Sequence, residues 1–218
     1  MSVMRLERDG LRANKCWLFL DDAVVCLGTG IASDSPLAVT TAVEQCRLMG
    51  ETRLVSTPSD LRLWHHGMGY VIPTTKGSSP CRVEKACATG SWHSIMRLYA
   101  DEPVSDSLLS ITIDHGTAPR NGTYVYYVLP DITPKGLRRW RAAGGGLRLL
   151  RNDSRVQAVS HGRVTWAAVW APDSLRLKAK GRREATVEVA SPGLYRIEQA
   201  KDGAICRITA CDPTQQQQ

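Results

Sequence analysis

Phenylalanine is nearly missing from this chain: one residue in 218, against six tryptophans and six tyrosines. Almost all of its aromatic surface therefore carries a polar handle, which suits half-exposed positions and sugar stacking as well as a core. Long apolar runs are missing too. The opening MSVMRLERDGLRANK is charged, with no stretch of signal-peptide length, and nothing later approaches ~18 consecutive apolar residues, so neither a signal peptide nor a membrane span is read. Seven cysteines, Cys16, Cys26, Cys46, Cys81, Cys87, Cys206 and Cys211, form an odd set without a CxxC pair or zinc-type histidine spacing, which argues against a metal framework. No internal repeat is found, nor a helix long enough to form a second layer.

What is present is enough apolar residue, 43%, to bury a core. Cys16, Cys26 and Cys206 lie in strand-like apolar runs and read as small buried hydrophobes. Cys81 and Cys87 bracket a loop-like stretch and could pair in an oxidising compartment. The net charge of +7 favours an acidic partner: a uronic-acid polysaccharide, a nucleic acid or an anionic membrane surface. Basic residues concentrate at Arg138, Arg139 and Arg141 and again at Lys178, Lys180, Arg182 and Arg183. Neither set is a long block, and both read as solvated faces.

The pattern is that of an all-β chain. CWLFL and AVVCLGTGI flank Asp21 and Asp22, a hairpin with aspartate supplying the turn. Leu37 to Leu48 is rich in β-branched residues and favours a strand. The same grammar recurs at LRLWHHGMGYVIP, SLLSITIDHG and TYVYYVLP, each bounded by turn residues. DITPKGLRRWRAAGGG breaks it: Thr133 caps a helix expected over Pro134 to Ala143, closed by Gly144 to Gly146. Strands resume at LRLLRN, VQAVSH, VTWAAVW, TVEVASP, GLYRIEQ and AICRITA, before a frayed polar tail at 214–218. Many short strands separated by turn signals imply an antiparallel sandwich.

Landmarks in sequence order then carry a resemblance. ANKCWLFLDDAVVCLGTGI, VTTAVEQCR, WHHGMGYVIP, GSWHSI, IDHGTAPRNGTYVYYVLP, LLRNDSRVQAV and the terminal CDPTQ are similar to motifs of polysaccharide lyase family 8, which includes hyaluronate, chondroitin AC and xanthan lyases. The match runs over about residues 13 to 213. Cys16 stands where the family has Ser, Gln45 where it has Asn, and Ile72 where it has an aromatic. The resemblance implies a partial antiparallel super-sandwich of the galactose mutarotase type over residues 1–170, with a short helical linker at 133–143. Part of a small C-terminal β-sandwich follows over 171–213. It implies β-elimination at a uronic acid, with an acidic polysaccharide as partner, no cofactor, and an extracellular or periplasmic location. The family's catalytic Asn, His, Tyr and Arg lie in a helical toroid that no segment here resembles, so no catalytic residue is carried over. That toroid becomes a possible separate partner, and a sandwich missing strands is expected to associate through unpaired edges.

β-Elimination needs the carboxylate neutralised, a base for the C5 proton and a proton donor for the leaving oxygen. His65 and His66, beside Trp64 and Tyr70, are the local candidates. Alternation along a strand sends the two histidines to opposite faces, so one should face the core and one the solvent. Trp92 and His93 in the GSWHS loop, with Arg97, could offer a stacking platform, hydrogen bonds and a cation for a carboxylate. Trp92, His93, Arg97, Trp64 and His65 are thus the substrate-binding candidates. Asp114 and His115 lack a nucleophile at recognisable spacing and read as a turn-stabilising pair. Asp21 and Asp22 supply too few oxygens for calcium. Three functions are weighed: a lyase component, a non-catalytic carbohydrate-binding module and a nucleic-acid binder. The last lacks any recognised motif.

Overall fold

A computed structural model describes residues 1–75, 77–177 and 184–212. The basic stretch from Lys178 to Arg183, most of the terminal DPTQ and the polar tail lie outside the described residues. Among the described residues, seventeen strands are joined by one short helix and two single-turn 3-10 segments.

Ten strands come before the helix: β1 (Ser2–Arg8), β2 (Leu11–Phe19), β3 (Val24–Ser33), β4 (Ala38–Arg47), β5 (Thr52–Ser56), β6 (Asp60–His65), β7 (Met68–Pro73), β8 (Cys81–Gly90), β9 (Val104–Thr117) and β10 (Gly122–Leu129). They form a seven-stranded sheet, β1-β2-β3-β10-β7-β6-β5, and a three-stranded sheet, β4-β9-β8. After helix α1 (Pro134–Arg139) come β11 (Leu147–Asn152), β12 (Val156–His161), β13 (Val164–Val169), β14 (Asp173–Leu177), β15 (Ala185–Val189), β16 (Gly193–Gln199) and β17 (Ile205–Cys211). These give a five-stranded sheet, β11-β12-β13-β16-β17, and a β14-β15 ribbon. Every pairing is antiparallel. The expected domain boundary at 170/171 falls within the five-stranded sheet, because β13 pairs with β16 from Val164↔Glu198 to Val169↔Gly193.

Three apolar layers separate the four sheets. Cys26, Ile31, Leu63, Tyr70 and Ile72 of the seven-stranded sheet meet Leu109, Ile111 and Ile113 of β9. On the other face of the same sheet Cys16, Leu18, Val25, Leu27 and Leu129 meet Leu147, Val159 and Ala168 of the five-stranded sheet. Val156, Ala158, Val169 and Ile197 then pack on Leu175, Leu177, Val187 and Val189 of the ribbon. The middle sheet is therefore covered on both sides, which is why VVCLGTGI reads as a nearly unbroken apolar run instead of alternating. Gly28 in that run is required by contact: a Cβ there would lie 2.0 Å from the Tyr124 ring.

The layers are also stitched by polar groups. Asn152 Nδ2 donates to the Gly28 and Tyr124 carbonyls at 3.2 and 3.0 Å, and Gln157 Nε2 donates to Asn152 Oδ1 at 2.9 Å. Trp170 Nε1 in turn donates to Gln157 Oε1 at 3.1 Å. The N and Q of LLRNDSRVQAV thus satisfy one another and the backbone between two sheets, as buried polar groups must.

Local readings hold or shift for identifiable reasons. The Asp21–Asp22 hairpin closes with Leu20 N donating to Ala23 O at 2.9 Å. Thr133 caps α1, its Oγ1 accepting from Gly136 N at 3.0 Å. The helix, however, ends at Arg139 and not at Ala143, because Trp140 turns to an extended conformation and packs on Tyr127 with ring centroids 5.1 Å apart. A 3-10 turn at Ala143–Gly145 follows, closed by left-handed Gly146. Cys81 and Cys87 do not bracket a loop: both lie on β8, and both are free. At ~3.3 Å per residue, six residues apart on one strand is about 20 Å, far beyond the ~7 Å a disulfide tolerates.

Candidate functional site

The five substrate-binding candidates fall into two places. Trp64 and His65 are on β6, inside the body. Trp64 is half-buried, and its Nε1 donates to the Ile132 carbonyl at 2.7 Å. His65 is only 4% exposed. Its Nε2 accepts from Met49 N at 3.0 Å, and its Nδ1 lies 3.6 Å from Cys46 Sγ. His66 is the exposed partner, at positive φ beside Gly67 in the two-residue turn between β6 and β7. One histidine faces inward and one outward, because β6 ends at His65 and His66 leaves the strand at positive φ into the turn. Both ring nitrogens of the inward one are turned to protein atoms.

Trp92, His93 and Arg97 lie instead at the end of an arm. β4 stops pairing with β9 at Arg47↔Leu108, whereas β8 follows β9 out to Gly90↔Val104. A two-stranded ribbon therefore projects past the three-stranded sheet, and residues 91–103 close its tip. The base is tied by Arg47 to Asp106 at 2.5 Å. The tip is held by its own bonds. Ser91 Oγ donates to Asp101 Oδ1 at 2.8 Å, His93 Nδ1 donates to Tyr99 O at 2.9 Å, and Ser94 Oγ donates to Ser91 O at 2.6 Å. Order without cover leaves Trp92, Ile95 and Leu98 exposed to 57, 77 and 90%, a concentration of apolar surface on one loop. Arg97 is exposed beside them and has no ion pair among the described residues.

Two polar constellations escaped sequence reasoning. Tyr70, fully buried, donates through its hydroxyl to the Glu44 carboxylate, joining β7 to β4 across the sandwich. Burial first, and the neighbouring carboxylate second, push this phenol far above its ordinary range, so it stays a donor. The second is Arg62, 6% exposed. Its Nε and Nη2 form a fork to Asp60 at 2.9 and 2.6 Å. Its Nη1 donates to the carbonyls of Leu137, Arg138 and Trp140 at 2.7, 3.3 and 2.9 Å. One guanidinium thereby satisfies the carbonyls left open at the end of α1. The hydrogen bonds from Arg62 hold the Asp60 carboxyl below its ordinary range, against its own burial. The available signal was Asp60 and Arg62 two apart on one strand, hence on one face, among apolar neighbours.

Asp114 and His115 do not bond to one another among the described residues. Asp114 pairs with Arg82 at 2.9 Å and accepts from Gly116 N at 2.8 Å. His115 sits between Thr41 Oγ1 at 2.8 Å and Ser79 Oγ at 3.1 Å. Burial lowers its basicity, opposed by Asp114. Among the described residues no group of three or more His, Cys, Asp or Glu is placed to hold a metal ion, and no helix is long and apolar enough to cross a membrane.

Relatives agree with this architecture. Chondroitinase-AC of Pedobacter heparinus is 30% identical over 173 residues, 73% of this chain and 24% of its own. Hyaluronate lyase of Thermasporomyces composti is 35% identical over 177 residues, 73% of this chain and 22% of its own. The chain thus spans about a quarter of the length of the curated relatives it matches. A chondroitinase AC lyase solved with oligosaccharides superposes with a TM-score of 0.82 at 27% identity, covering 97% of this chain and 32% of that one. The chondroitin AC lyase of Streptomyces coelicolor A3, solved with chondroitin sulphate, gives 0.73 at 30% identity, covering 91% and 26%. Residues 1–140 match the super-sandwich domain of polysaccharide lyase family 8 and residues 148–218 its C-terminal β-sandwich domain. With both of its β-domains represented in order, the chain belongs to polysaccharide lyase family 8.

Proposed function

We propose that this chain is the β portion of a secreted polysaccharide lyase: it binds an acidic polysaccharide of the hyaluronan, chondroitin or xanthan type and works with a helical domain that carries out β-elimination. The observation that carries this reading is the arm tip. Trp92 offers an exposed ring for a sugar face, Arg97 a cation without an ion pair among the described residues for a uronate, and Ile95 and Leu98 an apolar surface for a protein neighbour. The proposal assigns saccharide contact to Trp92, His93 and Arg97 and leaves Trp64 and His65 to the interior. It also assigns the base and proton donor to the helical domain. Of the chain's own candidates, Tyr70 is sequestered on Glu44 and His65 on Met49.

A direct test passes the purified chain over immobilised hyaluronan and chondroitin sulfate and follows unsaturated-uronate absorbance in solution. The expected result is retention that weakens with salt, falls at least tenfold in Trp92→Ala and Arg97→Ala, and is not accompanied by product. Equal retention of both variants overturns the arm assignment. Product from the chain alone overturns the assignment of chemistry elsewhere. The second reading, a non-catalytic carbohydrate-binding module, predicts the same retention, and is favoured if no helical domain added in trans elicits product.

A further inference from the structure

Two hollows in the body differ in what their cations are doing. The larger, about 470 Å³, lies between the 72–79 segment and β11 and includes Arg151 in its wall. That guanidinium is already spent, with one bond to Asp153 and another to Asp173 at 2.7 Å. The smaller, about 320 Å³, lies where the β2–β3 turn, the segment after α1 and the end of β12 converge. Its wall includes Arg139, Arg141 and His161, and among the described residues none of these three is in an ion pair. Among the described residues, the one acidic side chain on its rim is Asp22.

We infer that this smaller hollow is an accessory subsite for an anionic sugar residue, separate from the arm and resting on the proposed affinity for acidic polysaccharide. Its apolar wall is Leu20, Ala23, Trp140 and Leu147, fit for the C–H face of a pyranose. The volume is at the small end of the ~300–1,000 Å³ typical of ligand pockets, which suits a short stretch of saccharide. Arg139 and Arg141 are two residues apart, on either side of Trp140; Arg139 supplies a planar fork for a carboxylate or sulfate, and Arg141, whose charge also acts on Asp60, adds its remaining donors and a second positive charge. The backbone presenting them is held from below by Arg62 through the Leu137, Arg138 and Trp140 carbonyls. Trp140 rests on Tyr127. Arg141 braces the same segment, its Nη1 donating to the Arg138 and Trp140 carbonyls at 3.0 and 2.7 Å. The backbone of the rim is therefore already fixed, leaving chiefly the exposed Arg139 side chain to be ordered on binding.

The test titrates the full chain with a hyaluronan tetrasaccharide, a neutral cellotetraose and inorganic sulfate, following the Gly144 and Gly145 amides and the Trp92 indole by NMR. Hyaluronan tetrasaccharide should move the Gly144 and Gly145 signals saturably, cellotetraose should not, and sulfate should do so at least tenfold more weakly. Arg139→Gln should weaken that binding at least tenfold while leaving the Trp92 response intact, and Asp22→Asn should tighten it severalfold. A Trp92 response without movement at Gly144 and Gly145 overturns the subsite and leaves the arm standing. Sulfate equal to the tetrasaccharide reduces the hollow to a simple anion site and also overturns it. The reverse pattern, with Gly144 and Gly145 moving and Trp92 silent, sustains the subsite and removes the arm.

Discussion

The arm and the segment after α1 both carry tryptophan and arginine side chains outside regular structure, yet they are built in opposite ways. Residues 132–147 are anchored to the body at many points: Trp64 on the Ile132 carbonyl, Arg62 on three carbonyls, Trp140 on Tyr127. Among the described residues the arm tip is anchored only to itself, through Ser91, His93 and Ser94. A segment tied to the body shares its stability, whereas a segment tied to itself can be altered or covered without the body registering it.

Substitutions should separate the two by size of effect. Arg62→Met should be the most damaging, costing about 3–5 kcal/mol in urea unfolding, since it strands a buried carboxylate and three carbonyls. A loss under ~1 kcal/mol would break the distinction between the regions. The same pair predicts a pH signature. Asp60 is held below its unfolded value of about 3.9, so its stabilisation is complete above that value and is lost as pH falls through the lower folded value. The urea midpoint should drop below pH ~4 in the parent more steeply than in an Asp60→Asn/Arg62→Met chain. Next in size is Tyr70→Phe, which leaves Glu44 Oε2 without the Tyr70 hydroxyl while Oε1 keeps the Gln45 N–H, and should cost about 1.5–3 kcal/mol. Trp64→Phe removes one bond to Ile132 and should cost about 1 kcal/mol by the same measurement. At the small end, Ile95→Ser and Leu98→Ser should change unfolding by less than ~0.5 kcal/mol but reduce self-association in sedimentation velocity. A stability loss comparable to that of Tyr70→Phe would show the tip packed against something.

How far the sequence could be read follows the same division. The Asp21–Asp22 turn and the Thr133–Pro134 helix start were legible because local chemistry alone decides them. The end of the helix was not, because Trp140 leaves it for a partner on β10 and Arg62 on β6 captures its carbonyls. CRVEKACATG has no clear alternation, and its strand state comes from pairing with β9 along its whole length. Without that pairing, the sequence around Cys81 and Cys87 has the look of a loop. For the candidate site, the divergence of His65 and His66 was expected from alternation along one strand, but β6 ends at His65 and it is the His66–Gly67 turn, at positive φ, that carries His66 outward. Trp92 and Arg97 were found as residue types, but their projection on an arm depends on β4 ending at Arg47 while β8 continues.

The covered middle sheet also has a bearing on how the chain comes to be folded. Its central strand β10 joins β3 on one side, with Val24 opposite Val128, and β7 on the other, with Val71 opposite Tyr127. The β1-β2-β3 and β5-β6-β7 meanders can each form from neighbours in sequence, but they meet only across a strand made after both. Closing such distant contacts is slow, and until it happens two half-sheets wait with apolar faces and open edges. Only the arrival of residues 122–129 joins the two meanders into one sheet. Synthesis or refolding conditions that hasten that step should raise the yield of native chain more than any that favour the individual hairpins.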